Sequence, residues 1–271
     1  MASTSPDPLD DRLARRDPEL FAHVPSATTP DDRRSLLRLQ AAVRRDGDYA
    51  YLEIGSHLGG TLQPHVVDPR CGRIYSIDKR TPMVADIRGV DFAYADNSSA
   101  AMLAGLRAAF GDGVDKIVAF DCDARDVPAR SLVPAPRLCF IDGEHTVAAV
   151  LSDFAFCRRI VPADAIIAFH DGNLIFQALQ ACRRALRLEG VAHRTVKLPG
   201  SVYAILLGEA AARHGPLLAA ESVNERWFFL KSAFLLPWER LWTRLIPIWG
   251  KLIWTLVGWR SRLRRWMRRQ S

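Results

Sequence analysis

The chain has 271 residues, 49% of them apolar and 25% charged. That is enough for one large α/β domain with a sizeable core plus an appendage, and it excludes a disordered or fibrous chain. The net charge of +7 is unevenly held: residues 226–271 contain eleven Arg and Lys, one Glu and all seven tryptophans, so the remainder is net acidic and gives no reason to expect nucleic-acid binding by the body.

The first residues, Met1-Ala-Ser-Thr-Ser-Pro-Asp-Pro8, lack the apolar stretch of a secretory signal. Residues 1–28, rich in Pro, Asp, Ser and Thr and without a period, read as a mobile arm. Thr29-Pro30-Asp31-Asp32 supplies a cap, a first-turn proline and a first-turn acid. Leu36, Leu39 and Val43 then share one helical face, and Gly47 ends the helix.

Tyr51 to Ile54 is an apolar run that breaks at Gly55, Gly59 and Gly60, which predicts a buried strand, a tight turn and a helix start. Backbone amides at such a turn approach a ligand closely. The spacing Glu53-x-Gly55-x-x-x-Gly59-Gly60 places Glu53 where a dinucleotide fingerprint has its first glycine. A carboxylate there repels a pyrophosphate and accepts from an ammonium. The expected ligand is therefore nucleoside-like with a cationic amino-acid part.

Arg73 to Asp78 is a second apolar strand, ending in an acid about twenty residues on, where doubly wound nucleotide folds place the ribose-binding carboxylate. Val90 to Asp96 alternates with period two. Asn97-Ser-Ser99 opens a helix carrying Met102, Leu103, Leu106 and Phe110, stopped by Gly111 and Gly113. Lys116 to Phe120 is a strand followed by Asp121-Cys-Asp123-Ala124. Arg137 to Asp142 is the next strand, Val147 to Ile160 a helix, and Ala165 to Phe169 a strand ending at His170-Asp171. Asn173 is the expected cap of the helix that carries Leu174, Ala178, Leu179, Cys182 and Leu186 as far as Gly190. His193 to Leu198 and Val202 to Leu207 flank Pro199-Gly200, a link short enough to imply an antiparallel pair. The order is that of a doubly wound, mostly parallel sheet whose last strand is antiparallel.

The Glu53–Gly59 turn with Asp78 resembles class I S-adenosylmethionine-dependent methyltransferases over roughly residues 49–207. That resemblance implies a Rossmann-like fold. It also implies that Glu53, Gly55, Ser56 and Gly59 hold the methionine end of S-adenosylmethionine and Asp78 the ribose. Asp123 and Ala124 would lie beside the adenine, with Cys122 in place of the usual small residue.

Phe140-Ile-Asp142-Gly-Glu144-His145 and Phe169-His170-Asp171 are the most specific chemical signal. Each acid follows an apolar strand, and parallel strand ends share one sheet edge, so these groups can converge beside the cofactor crevice. Oxygen ligands suit Mg²⁺, Mn²⁺ or Ca²⁺, and a single imidazole does not exclude them. The pattern resembles sugar O-methyltransferases of the macrocin O-methyltransferase type and the related cephalosporin-hydroxylase-like group. In that resemblance Asp142 and Asp171 match metal-ligand acids, His170 stands in place of another metal-binding Asp, and Glu144 stands in place of a catalytic-base Asp. His145 is an alternative base, since an unperturbed imidazole titrates near neutrality. His57 and His65 read as structural.

The five cysteines lack metal-ligand or redox spacing and read as free buried thiols of a reducing compartment. The expected divisions are the 1–28 arm, a 29–210 methyltransferase domain, a 211–225 linker and a 226–271 amphipathic basic tail. Leu245 to Trp259 is too short to span a bilayer and, with the arginines that follow, predicts an interfacial helix on an anionic membrane. The combined expectation is a cytoplasmic, membrane-peripheral O-methyltransferase that uses S-adenosylmethionine, and a divalent cation such as Mg²⁺, on a hydroxyl of a sugar, glycosylated or natural-product acceptor. Alternatives are a non-catalytic, membrane-associated methyltransferase-like binding protein and a Rossmann oxidoreductase, which Glu53 disfavours. The chain carries no signal for or against an oligomer.

Overall fold

The computed structural model describes residues 8–89, 91–94, 97–242 and 245. Its elements in chain order are α1 (Pro8–Arg15), α2 (Pro30–Arg44), β1 (Tyr49–Ile54), α3 (Gln63–Val66), β2 (Cys71–Ile77), β3 (Met83–Ala85), β4 (Asp91–Ala93), α4 (Ser99–Phe110) and β5 (Ile117–Phe120). β6 (Leu138–Ile141), α5 (Val147–Ile160), β7 (Ile166–Phe169), α6 (Phe176–Leu188), β8 (His193–Lys197), β9 (Tyr203–Leu207), α7 (Gly208–Arg213) and α8 (Gly215–Ala219) follow.

Seven strands form one sheet in the order β5-β2-β1-β6-β7-β9-β8. β9 pairs antiparallel with both β7 and β8, and the other pairings are parallel. Strand order reverses between β1 and β6, which is where open α/β sheets leave a crevice at their carboxyl ends. Every residue of β1 and β6 is buried because helices cover both faces. Tyr49, Tyr51, Leu138 and Phe140 face one core, with Leu36, Leu39 and Val43 of α2 and Met102 and Leu106 of α4. Leu52, Ile54, Cys139 and Ile141 face the other, with Val150 and Phe154 of α5 and Leu179 of α6.

The expected cap of α2 is present as a reciprocal box: Thr29 accepts from the backbone of Asp32, and Asp32 accepts from the backbone of Thr29. Three local expectations differ. Of the segment that alternates with period two, only β4 is a strand among the described residues, and it makes a separate antiparallel hairpin with β3; Val90, Ala95 and Asp96 lie outside the described residues. α6 starts at Phe176 without a side-chain cap, because Leu174 and Ile175 donate to the Asp171 carbonyl and close the turn in place of an Asn173 cap. From residue 8 onward, the segment expected to be a mobile arm is packed: Leu9, Leu13, Leu20, Phe21 and Val24 are buried against α2 and α3. At the other end, the expected linker holds α8, and the boundary at 226 cuts a helix over residues 225–242 whose Phe228, Phe229, Ser232 and Leu236 are buried.

Gln63 holds the N-terminal segment in place. Its Oε1 accepts from the backbone N–H groups of His23 and Val24, both at 2.9 Å. Its Nε2 donates to the carbonyls of Phe21, Val24 and Gly60. Gln63→Ala is expected to leave these buried groups without partners and to cost about 2–4 kcal/mol. Urea unfolding measures the loss, and amide exchange should show it concentrated in residues 8–28. Unchanged protection of that segment would show that apolar packing alone secures it.

Candidate active site

A cavity of about 680 Å³ opens along the carboxyl ends of β1, β2, β6 and β7, a size usual for small-molecule sites. Its walls include the expected residues Gly55, Ser56, Asp78, Ala124, Asp142, Glu144, His145, His170 and Asp171. Three expected residues do not line it: Glu53, Gly59 and Asp123.

Gly55 has φ +88°, and a Cβ on it would stand 2.2 Å from the Asp142 carbonyl oxygen. That approach sets the β1 turn against the end of β6, where Asp142 donates to the Ile54 carbonyl, while Gly55 donates to the Ile77 carbonyl at the end of β2, each at 2.8 Å. Gly59 has φ +79° and lies against Leu106 and Met102, so its role is packing. Asp78 accepts from the backbone N–H of His57 at 2.9 Å and of Arg80 at 2.7 Å, which fixes its carboxylate at the cavity wall. His57 lines the same wall, edge-on to Tyr94, whereas His65 is stacked on Tyr51 inside the core.

Glu53 is buried beneath the turn. Tyr51 Oη donates to it at 2.6 Å and Thr61 Oγ1 at 2.5 Å, and Thr61 is the residue that reaches the cavity. Burial pushes the Glu53 carboxyl up from 4.5 to about 8, against the pull of those two hydroxyls. The folded state therefore keeps a proton that the unfolded chain releases. The stability this contributes is complete below pH 4.5 and is lost as pH rises toward about 8, at roughly 1.4 kcal/mol per pH unit. Glu53→Gln, which cannot ionise, is expected to lack that slope. Urea unfolding at pH 5 and pH 8 checks it, and parallel pH profiles for the two proteins would refute it.

Asp123 pairs with Arg125 and with Lys79 Nζ at 3.0 Å. Lys79 lines the cavity and also lies 3.9 Å from Glu144 Oε2, so it links the Asp123 turn to the acid cluster. Glu144 is held by Thr146 Oγ1, which donates to Oε1 at 2.7 Å.

The acids and imidazoles that follow β6 and β7 converge. His170 Nδ1 lies 3.0 Å from Asp142 Oδ1 and 3.8 Å from Asp171 Oδ2. His145 Nε2 lies 3.7 Å from Asp142 Oδ1 and 3.6 Å from Asp171 Oδ2. Asp171 holds a positive φ of 46°. Burial disfavours charge on both imidazoles, but the carboxylates around them prevail, lifting His145 to about 9 and His170 to about 11. Burial likewise raises Asp142, yet His170 and His145 hold it below the ordinary range.

Sequence reasoning missed several wall residues. Residues 25–29, Asp32, Thr61, Lys79, Tyr94 and Asp153 all line the cavity. Burial pushes the Asp153 carboxyl to about 7. Asp32 announced itself only as a helix-cap acid, and Asp153 only as a polar position on a helix; neither local pattern encodes a distant partner.

The profile of a family described as a methyltransferase domain matches residues 34–172. A search of curated proteins finds no match. Among solved structures, a calicheamicin methyltransferase is 18% identical with a TM-score of 0.46, covering 74% of this chain and 94% of its own. An O-methyltransferase of tomaymycin synthesis from Streptomyces achromogenes, in complex with S-adenosylmethionine, is 15% identical with a TM-score of 0.47, covering 75% and 91%. An O-methyltransferase from Bacillus cereus, with S-adenosylhomocysteine, is 14% identical with a TM-score of 0.44, covering 76% and 93%.

Proposed function

This chain belongs to the methyltransferase-domain family, and from that premise we propose that it methylates a hydroxyl of a sugar, glycosylated or natural-product acceptor, with S-adenosylmethionine as donor. The observation that carries the reading is the single cavity: the glycine turn, Asp78 and Ala124 share it with Asp142, Glu144, His145, His170 and Asp171.

The bare backbone at Gly55 and Ser56 is shaped for the amino-acid end of the donor, with Glu53 acting through Thr61 rather than by contact. Asp78 accepts from the ribose hydroxyls. The sulfonium methyl is already activated, so the protein's task is alignment and proton removal. The S–CH₃ bond breaks as the O–CH₃ bond forms, the sulfur leaves as a neutral thioether, and the acceptor proton passes to Glu144. His145 is the weaker choice of base, because an imidazole held at about 9 is already protonated near neutrality. Asp142, His170 and Asp171 are suited to hold a divalent cation, which when bound supplies positive charge beside the acceptor oxygen.

The test is calorimetry with S-adenosylmethionine, followed by incubation with methyl-labelled donor and a panel of sugar and phenolic hydroxyl acceptors, read by mass spectrometry. Label on oxygen supports the reading. Absence of donor binding sinks it, and donor binding without transfer to any acceptor favours a non-catalytic module.

The same proposal extends to the C-terminal end as a peripheral contact with an anionic membrane. Among the described residues no helix is long and apolar enough to cross a bilayer. On the helix over residues 225–242, Trp227, Leu230, Phe234, Trp238, Leu241 and Trp242 are exposed at three- and four-residue spacings. Beyond Leu245, the interfacial segment and its arginines lie outside the described residues. Flotation on phosphatidylserine vesicles, comparing the full chain with a form ending at Trp242 and with Trp227→Ala/Trp238→Ala, tests this. Equal retention of all three forms in the soluble fraction at low salt would exclude membrane contact.

A further inference from the structure

The donor set described above is not the oxygen cage that suits Mg²⁺. One atom each from Asp142, His145 and His170 lie within 4.8 Å of one another. Asp171 Oδ2 adds a fourth, 3.6 Å from His145 Nε2 and 3.8 Å from His170 Nδ1. Ligand atoms at about 2.1 Å from a divalent ion lie roughly 3.0–3.5 Å apart, so these four need only a small contraction to enclose one. Two imidazole nitrogens favour zinc, iron, cobalt or nickel over magnesium. His145 Nε2, directed at Asp142 and Asp171, is buried without a hydrogen-bond partner.

The second nitrogen of each ring points the same way chemically. His145 Nδ1 faces Asp86 Oδ2 at 3.3 Å, and Asp86 is fixed by Arg88 at 2.7 and 3.0 Å. His170 Nε2 lies 3.4 Å from Asp32 Oδ2, an ion-pair distance without hydrogen-bond geometry, and Asp32 is fixed by Thr29 and Ser201. Both carboxylates are buried. A ring whose outer nitrogen faces a fixed carboxylate while its inner nitrogen faces the centre is the arrangement that orients metal-bound histidine.

We infer that Asp142, His145, His170 and Asp171 form a two-histidine, two-carboxylate site for an imidazole-preferring divalent transition ion. In it His145 is a ligand rather than a base, and Asp86 and Asp32 are positioning residues. The inference rests on the methyl-transfer reading for the site's place in the cavity, and it replaces Mg²⁺ by a different class of ion.

The test uses the full chain, stripped with a chelator, with Co²⁺ as the probe. The expected result is one equivalent of Co²⁺ with visible d–d absorption, displaced by equimolar Zn²⁺ and not by a thousandfold excess of Mg²⁺. His145→Gln should weaken Co²⁺ at least ~100-fold, and Asp86→Asn, which removes no ligand, by about 10- to 100-fold. Circular dichroism and thermal melting confirm that each variant folds. Because Asp32 also caps α2, the Asp86 variant carries the positioning test. Absence of Co²⁺ binding, displacement by Mg²⁺, or His145→Gln with unaltered affinity would each overturn the inference. S-adenosylmethionine binding, measured separately in the chelated protein, reports on the donor site that the methyl-transfer reading requires, so the failure of one reading is distinguishable from that of the other.

Discussion

Gly55→Ala is expected to lower S-adenosylmethionine affinity by at least ~100-fold and to destabilise the fold by about 3 kcal/mol. The added Cβ would stand 2.2 Å from the Asp142 carbonyl oxygen, 2.6 Å from its carbon and 2.7 Å from the Gly143 Cα. All three are backbone atoms at the end of β6, so no side-chain rotation relieves the clash. The left-handed φ of +88° adds strain of its own. Whatever yields, either the donor-binding turn moves or Asp142 does, and the cavity needs both. Gly105→Ala is the control. Gly105 sits within α4 with nothing inside 4 Å of its would-be Cβ, and the substitution should stabilise by up to ~1 kcal/mol through helix propensity. Calorimetry and urea unfolding read both variants, and wild-type behaviour of Gly55→Ala would refute the close approach of the two strand ends.

Glu144→Gln is expected to lower kcat by about 10²- to 10⁴-fold, the range for loss of a general base, while donor affinity stays unchanged. Its carboxylate lines the cavity, is held by Thr146 and lies 3.9 Å from Lys79. Gln keeps the shape and the Thr146 contact but cannot take a proton. Steady-state kinetics separate the effects: kcat should fall with the KM for the donor preserved. A rise in KM with kcat intact would instead make Glu144 an acceptor-binding residue.

The sheet was legible because its strands are short apolar runs punctuated by glycine or acid, and burial on both faces leaves such runs few other structures to adopt. The acid cluster was legible for the same reason, since each of its members follows the end of a strand. What escaped was long-range. Asp86 follows β3 in a stretch whose sequence has no readable pattern, yet it bridges to His145 across fifty-nine positions. α1 offers only Leu9 and Leu13 as an apolar face, too little to announce a helix among Asp, Arg and Pro. Those leucines are buried because α2 and its neighbours supply the other side. Glu53 was expected to hold the donor directly, but it does not line the cavity and its carboxylate is taken up by Tyr51 and Thr61, partners that no local pattern announces.

Residues 25–29 form part of the cavity wall, and a Cβ on Gly60 would stand 2.3 Å from the Pro25 carbonyl oxygen. A ligand in the cavity and the docking of the N-terminal segment therefore draw on the same free energy. By reciprocity, any factor by which a bound donor lowers the equilibrium constant for local opening of residues 8–28 is the factor by which opening of that segment weakens the donor. Residues 8–29 thus stand as a thermodynamic partner of the occupied site, although they lie before the first strand of the sheet.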